Sequence, residues 1–407
     1  MWSFAGREND LTTKSIPGDY SVQGEPYDSE GQNRDLNMGF PTNAERLKWE
    51  PIGPTDPNIL PGTLDVGACD GPDPADFQTG YIWDAVMRAG LSLRNYGYDC
   101  DESEYYAVPT PLTLYPAKIN ERVAFPSRLE LMPSTVTDPY FRSFDNNFPD
   151  WYREAEWERE FDQYVKKKNL PALSLVRLMH DHMGDFGTAI EGVNTPEYQQ
   201  ADNDYAVAKL IQKVAESPYA SDTLIFSVED DSQNGADHVD SHRSTVYIVG
   251  PYVQQGGVVI STPYTTVNLI ATIEDILGVQ HIDALTASAV PMTDVFNINQ
   301  SGKWTFTAVP SDYLYNTQLP LPPRQAKAEP FPKATHDATY WARVTKGFNF
   351  AREDSLGDAN KFNRIIWAGL HGKDVPYPTV RSGADLRQNR TDLLKKAAKN
   401  VSVSPNS

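Results

Sequence analysis

Short apolar runs rich in β-branched residues alternate along this chain with longer amphipathic segments, and this alternation constrains the fold more than any other feature. Short apolar runs bounded by turn residues favour strands, whereas apolar residues spaced three or four apart favour helices. The predicted helices cover residues 81–90, 151–169, 197–216, 265–278 and 359–372. The predicted strands cover residues 91–96, 172–180, 222–230 and 245–250. The alternation predicts an α/β fold with a mainly parallel sheet flanked by helices.

Composition excludes some classes of protein and leaves others open. The 407 residues suffice for one large domain or for two to three ordinary ones, and the formal net charge of −19 argues against nucleic acid or an anionic membrane as the main partner. No apolar run is long enough for a transmembrane helix. The opening residues lack the basic start and apolar core of a signal peptide. They predict either a cytoplasmic protein or a chain that does not begin where the natural one does.

The chain has two cysteines, Cys69 and Cys100. In an oxidising compartment they could form one disulfide that closes a loop of about 30 residues and stabilises the fold by about 3 kcal/mol. The alternative is two free thiols. No CxxC motif or nearby histidine favours a zinc site at these positions.

Two clusters of aspartate and histidine follow predicted strands. The first is HDHMGD at residues 180–185, and the second is EDDSQNGADHVDSH at residues 229–242. Ligands of open α/β sheets bind at the carboxyl ends of strands, and Asp with His suits Zn, Mn or Fe. A bound cation would offset the repulsion among the carboxylates, although acidic loops of this kind are also common as solvated turns. The histidines outside the two clusters, His281, His336 and His371, are predicted to be surface or packing residues.

Several longer stretches carry a resemblance to a known family. They are TPEYQQADNDYAVAKLIQKVAESPYASDTLIF (195–226), FSVEDDSQNGADHVDSHRS (226–244), YIVGPYVQQGGV (247–258) and NRIIWAGLHGKDVPYP (363–378). Together with the Asp-His pair at 181–182, they resemble the phosphoesterase family of the alkaline phosphatase superfamily, whose members are phospholipase C-like and acid phosphatase-like. The variant fused to YVTN-type β-propellers in bacteria is the most similar. The resemblance covers residues 1–380, and residues 381–407 form a polar tail.

The resemblance implies an alkaline phosphatase-like fold and a hydrolase that acts on phosphoric esters with two divalent ions, either Zn, Mn, Fe or Ca. The implied metal ligands are Asp181, His182, Asp230, Asp231 and His238. Asp230 and Asp231 would bind one ion, and the other three would lie at or near the second ion. Asp237 and His242 would orient these ligands, whereas His180 stands where the family has a non-ligand polar residue. The implied substrate is a small phosphate ester or a phospholipid headgroup, and the implied location is periplasmic or extracellular.

The beginning of the chain departs from the family pattern. In the family, a first strand with a Glu-Asn metal motif and a Ser or Thr nucleophile precede a Gly-His-x-Trp stretch. Trp2 matches that tryptophan, so the resemblance implies that the first strand region and the nucleophile lie upstream of Met1. The Glu-Asn pair within residues 7–9 does not follow a strand and is rejected as this motif. If the match at Trp2 is wrong, Ser3, Thr12 and Thr13 are the first hydroxyls to test.

Three functional interpretations remain open at this stage. The chain is most of a truncated metal-dependent hydrolase of phosphoric esters. Alternatively, it is a non-catalytic metal-binding or structural remnant of that family. A hydrolase that acts through activated water is the third interpretation, since it needs only the ligands present here.

Overall fold

The structure, a computed structural model, describes residues 4, 81–98, 100–101, 113–126, 129–229, 245–282, 284–300, 302–324, 331–350 and 359–377. Its helices in these ranges are α1 (Ile82–Arg88), α2 (Pro116–Ile119), α3 (Asp150–Lys167), α4 (Pro196–Ala215), α5 (Thr266–Leu277), α6 (Ala284–Ser288), α7 (Ala338–Val344) and α8 (Ala359–His371). Its strands are β1 (Leu93–Tyr96), β2 (Cys100–Asp101), β3 (Phe125–Pro126), β4 (Leu173–Val176), β5 (Ile225–Val228) and β6 (Val246–Val249). Short 3₁₀ turns cover Leu129–Leu131, Thr293–Val295 and Asp312–Asn316.

Each predicted helix and strand is present within a few residues of its predicted bounds. The largest difference is at β4, which ends at Val176 although the apolar pattern predicts a strand to residue 180. The backbone N–H groups of Met179 and His180 donate to the side chain of Asp150 instead of to a neighbouring strand. A side chain from helix α3 therefore ends the strand, and local sequence gives no sign of that contact.

The described strands pair in three two-stranded sheets. β1 and β4 pair in parallel, from Leu93 opposite Leu173 to Tyr96 opposite Val176. Helix α3 lies between them in the chain, so that β1, α3 and β4 form a βαβ unit. The β2–β3 and β5–β6 pairs are antiparallel. The pairing within the described ranges is thus mixed, and the larger, mainly parallel sheet of an alkaline phosphatase-like fold stays a prediction.

Helices α3 and α4 lie side by side and run in the same direction. Lys209 of α4 contacts Glu154 of α3. One helical turn further along both helices, Lys213 lies 2.7 Å from Glu158, and it also lies 2.8 Å from Asp162. Because the partners advance together along both helices, the two helices are parallel. Their N-termini consequently meet at the same end of the unit, which is also where β4 ends.

One hydrophobic core lies where α3 and α4 meet the parallel strand pair. One aromatic cluster has five buried members: Tyr96, Phe141, Trp157, Phe161 and Val214. Val176 of β4 and Ile225 of β5 both pack against it. The two strands that precede the acidic clusters of the sequence therefore share one core.

In the part of the chain that the structure describes, no helix combines the length and the apolar character needed to cross a membrane. Cys100 is buried in β2, whereas Cys69 lies outside the described residues. The disulfide between them stays a prediction.

Candidate functional site

The first acidic cluster lies on the loop after β4, beside the N-termini of α3 and α4. Asp181 and His182 are partly exposed there, with 23% and 21% of their side-chain surfaces accessible. Oδ2 of Asp181 is 3.9 Å from Nε2 of His182. The ring of Phe144 meets the His182 ring edge-on, with 5.5 Å between the ring centroids. This contact restricts the orientation of the imidazole, so the two candidate ligands are close together and accessible from solvent.

All of the second acidic cluster except its first residue falls outside the described residues. This applies to Asp230, Asp231, Asp237, His238 and His242, whereas Glu229, just before them, is described. The backbone N–H of Glu229 donates to the carbonyl of Thr245, 3.0 Å away. This bond continues the β5–β6 pair up to the point where the cluster begins. Whether the two clusters meet in space stays a prediction.

Immediately before Asp181, the chain forms a buried cluster that the sequence did not predict. Asp150, His180 and Asp202 each place one potential metal-ligating atom within 4.8 Å of the others. All three residues are completely buried. Carboxylates and imidazole are suitable ligands for a divalent cation, so the protonation of this cluster decides what it can do.

The His180 ring has an acceptor at each nitrogen. Nδ1 lies 2.8 Å from Oδ2 of Asp202, and Nε2 lies 3.1 Å from the carbonyl oxygen of Asn146. A carbonyl oxygen only accepts hydrogen bonds, so Nε2 must carry a proton, and the Asp202 carboxylate accepts a hydrogen bond from the N–H at Nδ1. Burial alone would lower the pKa of His180. The hydrogen bond to Asp202 and the charge of Asp150 outweigh burial and raise this pKa. His180 is therefore an imidazolium.

Asp202 receives further hydrogen bonds from the start of helix α3. Its carboxylate accepts the backbone N–H groups of Asp150 at 2.6 Å and Trp151 at 3.1 Å. These N–H groups belong to the first turn of α3, where a helix has no partners of its own for them. Pro149, the residue before α3, provides no side-chain cap. Asp202 of α4 therefore caps α3. Burial raises the pKa of Asp202 above its usual value, whereas the hydrogen bond from His180, the backbone N–H of Asp150 and the positive end of α3 favour the ionised form.

Asp150 is the second carboxylate of the cluster, and donors surround it. It accepts hydrogen bonds from the N–H of Met179 (2.8 Å), the N–H of His180 (2.8 Å), the guanidinium of Arg153 (2.9 Å) and the amide of Asn203 (3.0 Å). Burial alone would raise the pKa of Asp150. The charges of Arg153 and His180 and the backbone bonds hold this pKa below its usual value. Asp150 is therefore an anion.

The cluster is neutral as a whole, because two carboxylates face one imidazolium and one guanidinium. An imidazolium has no lone pair for a metal ion, and protein donors already contact both carboxylates. A cation could bind only after His180 lost a proton and several hydrogen bonds broke. The arrangement is therefore that of a buried structural hub, which joins α3, α4 and the loop after β4.

Sequence reasoning missed Asp150 and Asp202 because each has an ordinary local explanation. An acidic residue at the start of a helix interacts favourably with the helix dipole, and Asp150 is the first residue of α3. One signal was present in α4. Asp202 lies on the same buried face as Gln199 and Ala206, and a carboxylate on such a face requires a partner.

The loop after the two candidate ligands is also acidic. Burial raises the pKa of Asp185 to about 6, and the charge of Asp145 adds to this effect. The carboxylate of Asp185 is therefore in an environment that disfavours negative charge. A nearby cation would relieve this unfavourable electrostatic environment.

The three histidines outside the acidic clusters are in packing or surface positions, as expected. Nδ1 of His281 lies 2.7 Å from the carboxylate of Glu274. The rings of His336 and His371 lie against Tyr340 and Trp367, respectively. These positions assign none of them to the candidate site.

The chain was compared with protein-family models and with curated proteins. No family model matches it, and no curated protein matches it.

Proposed function

We propose that this chain forms most of a metal-dependent hydrolase of phosphoric esters, of the phosphatase, phosphodiesterase or phospholipase C kind. The observation that carries the proposal is the position of Asp181 and His182. They lie side by side on the loop that leaves the carboxyl end of a strand in a parallel pair. Open α/β sheets bind their ligands at this end of the strands. The resemblance of the second acidic cluster to a phosphoesterase motif supplies the reaction class.

The geometry of the pair fits one divalent ion. Bonds from zinc to an imidazole nitrogen and to a carboxylate oxygen are each about 2.1 Å long, so two such ligands at a tetrahedral angle lie about 3.4 Å apart. Nε2 of His182 and Oδ2 of Asp181 are 3.9 Å apart, so a small side-chain rotation would bring both atoms onto one ion. The other implied ligands, Asp230, Asp231 and His238, would complete the site from the loop after β5.

Bound divalent ions would polarise the ester and lower the pKa of the attacking hydroxyl or water. The residues of this chain would bind and orient those ions. The T-shaped contact with Phe144 would restrict the imidazole of His182, and the acidic loop around Asp185 would favour cations over anions. A periplasmic or extracellular location and a small phosphate ester or phospholipid headgroup as substrate belong to the same proposal.

A second candidate function is a non-catalytic, structural remnant of such an enzyme. The observation that favours it is the buried hub around His180, which is neutral and satisfied by protein groups alone. The described part of the site can thus be held in place without an ion. Metal binding without turnover would favour this alternative.

The experiment measures metal content and hydrolysis of a generic aryl phosphate. Purified wild-type chain is compared with Asp181→Asn and His182→Gln, and with Asp204→Asn and His371→Gln as controls. Asp204 and His371 are exposed and are not among the implied ligands. We expect lower metal content in the first two variants and wild-type content in the controls. Equal metal content in all five proteins would refute the metal site.

A further inference from the structure

The loop that carries the two candidate ligands connects β4 to α4 and is in contact with both α3 and α4. Residues 179–184 lead from the end of β4 towards α4, with Asp181 and His182 in the middle. Metal ligands must be held in one geometry, and substitution of the groups that hold them typically lowers metal affinity by about 10- to 100-fold. The contacts that fix this loop therefore bear directly on the proposed function.

Helix α3 fixes the beginning of the loop. The Asp150 carboxylate accepts the backbone N–H of Met179 at 2.8 Å and that of His180 at 2.8 Å. Arg153 and Asn203 hold the same carboxylate in place. Because Asp150 is also part of the buried hub, a substitution there would disturb the fold as well as the loop.

Helix α4 fixes the rest of the loop through two adjacent glutamines. The side chain of Gln199 accepts the N–H of Gly184 at 3.0 Å and donates to the carbonyl of Gly184 at 2.7 Å. The amide nitrogen of Gln200 lies 3.1 Å from the carbonyl oxygen of His180 and 3.1 Å from that of Asp181. Gln200 thus binds the peptide units on both sides of the first candidate ligand.

Gln200 differs from the other members of this network because its side chain is exposed. Substitutions at exposed helix positions usually change the free energy of unfolding by less than about 0.5 kcal/mol. The contacts of Gln200 with the loop can therefore be removed without opening the core.

We propose that Gln200 is a positioning residue for the metal site, which orients Asp181 and His182 through hydrogen bonds to the backbone that carries them. This inference rests on the proposed function, because it concerns the same two ligands. Gln200 is not itself a ligand, since its amide nitrogen faces the two carbonyl groups.

The test uses the full chain and Co²⁺, whose visible absorption spectrum reports the geometry of its ligands. Gln200→Met keeps the length of the side chain and the helix propensity but removes the donor. Gln212→Met is the matched control on the same helix, because the Gln212 amide contacts Glu216 and the N–H of Ala308 rather than the loop. We expect Gln200→Met to weaken Co²⁺ binding by about 10-fold and to change the Co²⁺ spectrum, with an unchanged urea midpoint. Gln212→Met should match wild type in affinity and spectrum.

The outcomes separate this inference from the proposed function. If wild type binds Co²⁺ and Gln200→Met has the affinity and spectrum of Gln212→Met, the positioning role is overturned and the proposed function survives. If wild type binds no more Co²⁺ than Asp181→Asn does, the proposed function fails, and the positioning role fails with it.

Discussion

Nδ1 of His180 lies 2.8 Å from Oδ2 of Asp202, and both side chains are completely buried. Buried ion pairs rarely add much net stability, because removing the charges from water costs several kcal/mol per ion. Loss of one partner is nevertheless expensive, since the other charge stays buried without compensation. The pair therefore makes both residues necessary for a stable fold, whatever the chain binds.

The substitution His180→Leu should lower the free energy of unfolding by about 3–5 kcal/mol. It leaves Asp202 without its cationic partner, and it removes one of the two donors to the carbonyl of Asn146, which keeps the amide of Gln199 at 3.3 Å. Urea unfolding at neutral pH measures the change. The control is His371→Leu at an exposed position, which should cost less than about 1 kcal/mol. Equal costs at the two sites would contradict the assignment of His180 to a charged hub.

Arg153→Lys should also be strongly destabilising, although it keeps the positive charge. Each N–H of Arg153 has an acceptor: the carbonyls of Arg142, Ser143, Asp145 and Phe148, and the carboxylate of Asp150. A lysine has three donors and cannot reach all of these groups from one point, so buried carbonyls lose their partners. We expect a cost of about 3 kcal/mol or more in urea unfolding. Arg343→Lys, at an exposed position of α7, is the control, and a similar small cost at both sites would argue against the network.

Asp138, another buried acidic residue, makes the free energy of unfolding depend on pH. Burial raises the pKa of Asp138 from its usual 3.8 to about 8, and the charges of Glu160 and Glu156 add to the effect. Arg94 and Arg159 do not offset this rise in pKa. They lie 3.8 Å and 3.5 Å from Asp138, respectively, but form closer ion pairs with Glu160 and Glu156.

The direction in which pH changes the free energy of unfolding depends on whether the folded or the unfolded state binds more protons. Between pH 3.8 and about 8, the folded protein holds a proton on Asp138 that the unfolded chain has lost. The free energy of unfolding should therefore fall as pH rises through this window, by up to about 1.4 kcal/mol per pH unit, and this contribution should level off above the folded pKa.

Asp138→Asn should remove that slope, as measured by urea unfolding across the window. Asp204→Asn, an exposed control, should keep the wild-type slope. Parallel curves for wild type and Asp138→Asn would show that Asp138 does not hold the proton.

Gly369→Ala in helix α8 tests packing against helix propensity. Alanine is better than glycine in a helix interior by about 1 kcal/mol. At this position, however, an added Cβ would clash with Cη2 of Trp341, whose side chain is completely buried. Overpacking of a core costs about 1–3 kcal/mol, so the clash should win and the variant should be less stable than wild type.

A double-mutant cycle with Trp341→Leu isolates this contact. The leucine removes the ring atoms that would clash, so Gly369→Ala should cost less, or become stabilising, in the Trp341→Leu background. If Gly369→Ala alone raises the urea midpoint, Trp341 can move aside and the packing argument is wrong.

The secondary structure of this chain was accessible from sequence because its signals are local. Val207, Leu210, Ile211 and Val214 recur at helical spacing, and the structure has helix α4 at that place. Gly278 ends α5 in the left-handed conformation that glycine adopts most readily. The sequence alone also singled out the loop with Asp181 and His182 as a candidate site, since both residues directly follow a predicted strand.

The roles of the residues around that loop depend on contacts between distant parts of the chain. Asp202 caps helix α3 from 52 residues away, and Asp150 ends strand β4 by binding backbone groups 29 and 30 residues away. Hydrophobic periodicity describes which face of a segment is buried, but it does not determine which face of another segment meets it. The resemblance did not include His180 among the implied ligands. In the structure, both ring nitrogens of His180 face hydrogen-bond acceptors, so neither nitrogen is available to a metal ion. Sequence thus determined which segments become helices and strands and where carboxylates and histidines cluster. Only the packing of α3 against α4 decided which of those charges neutralise each other in the interior and which remain accessible to solvent.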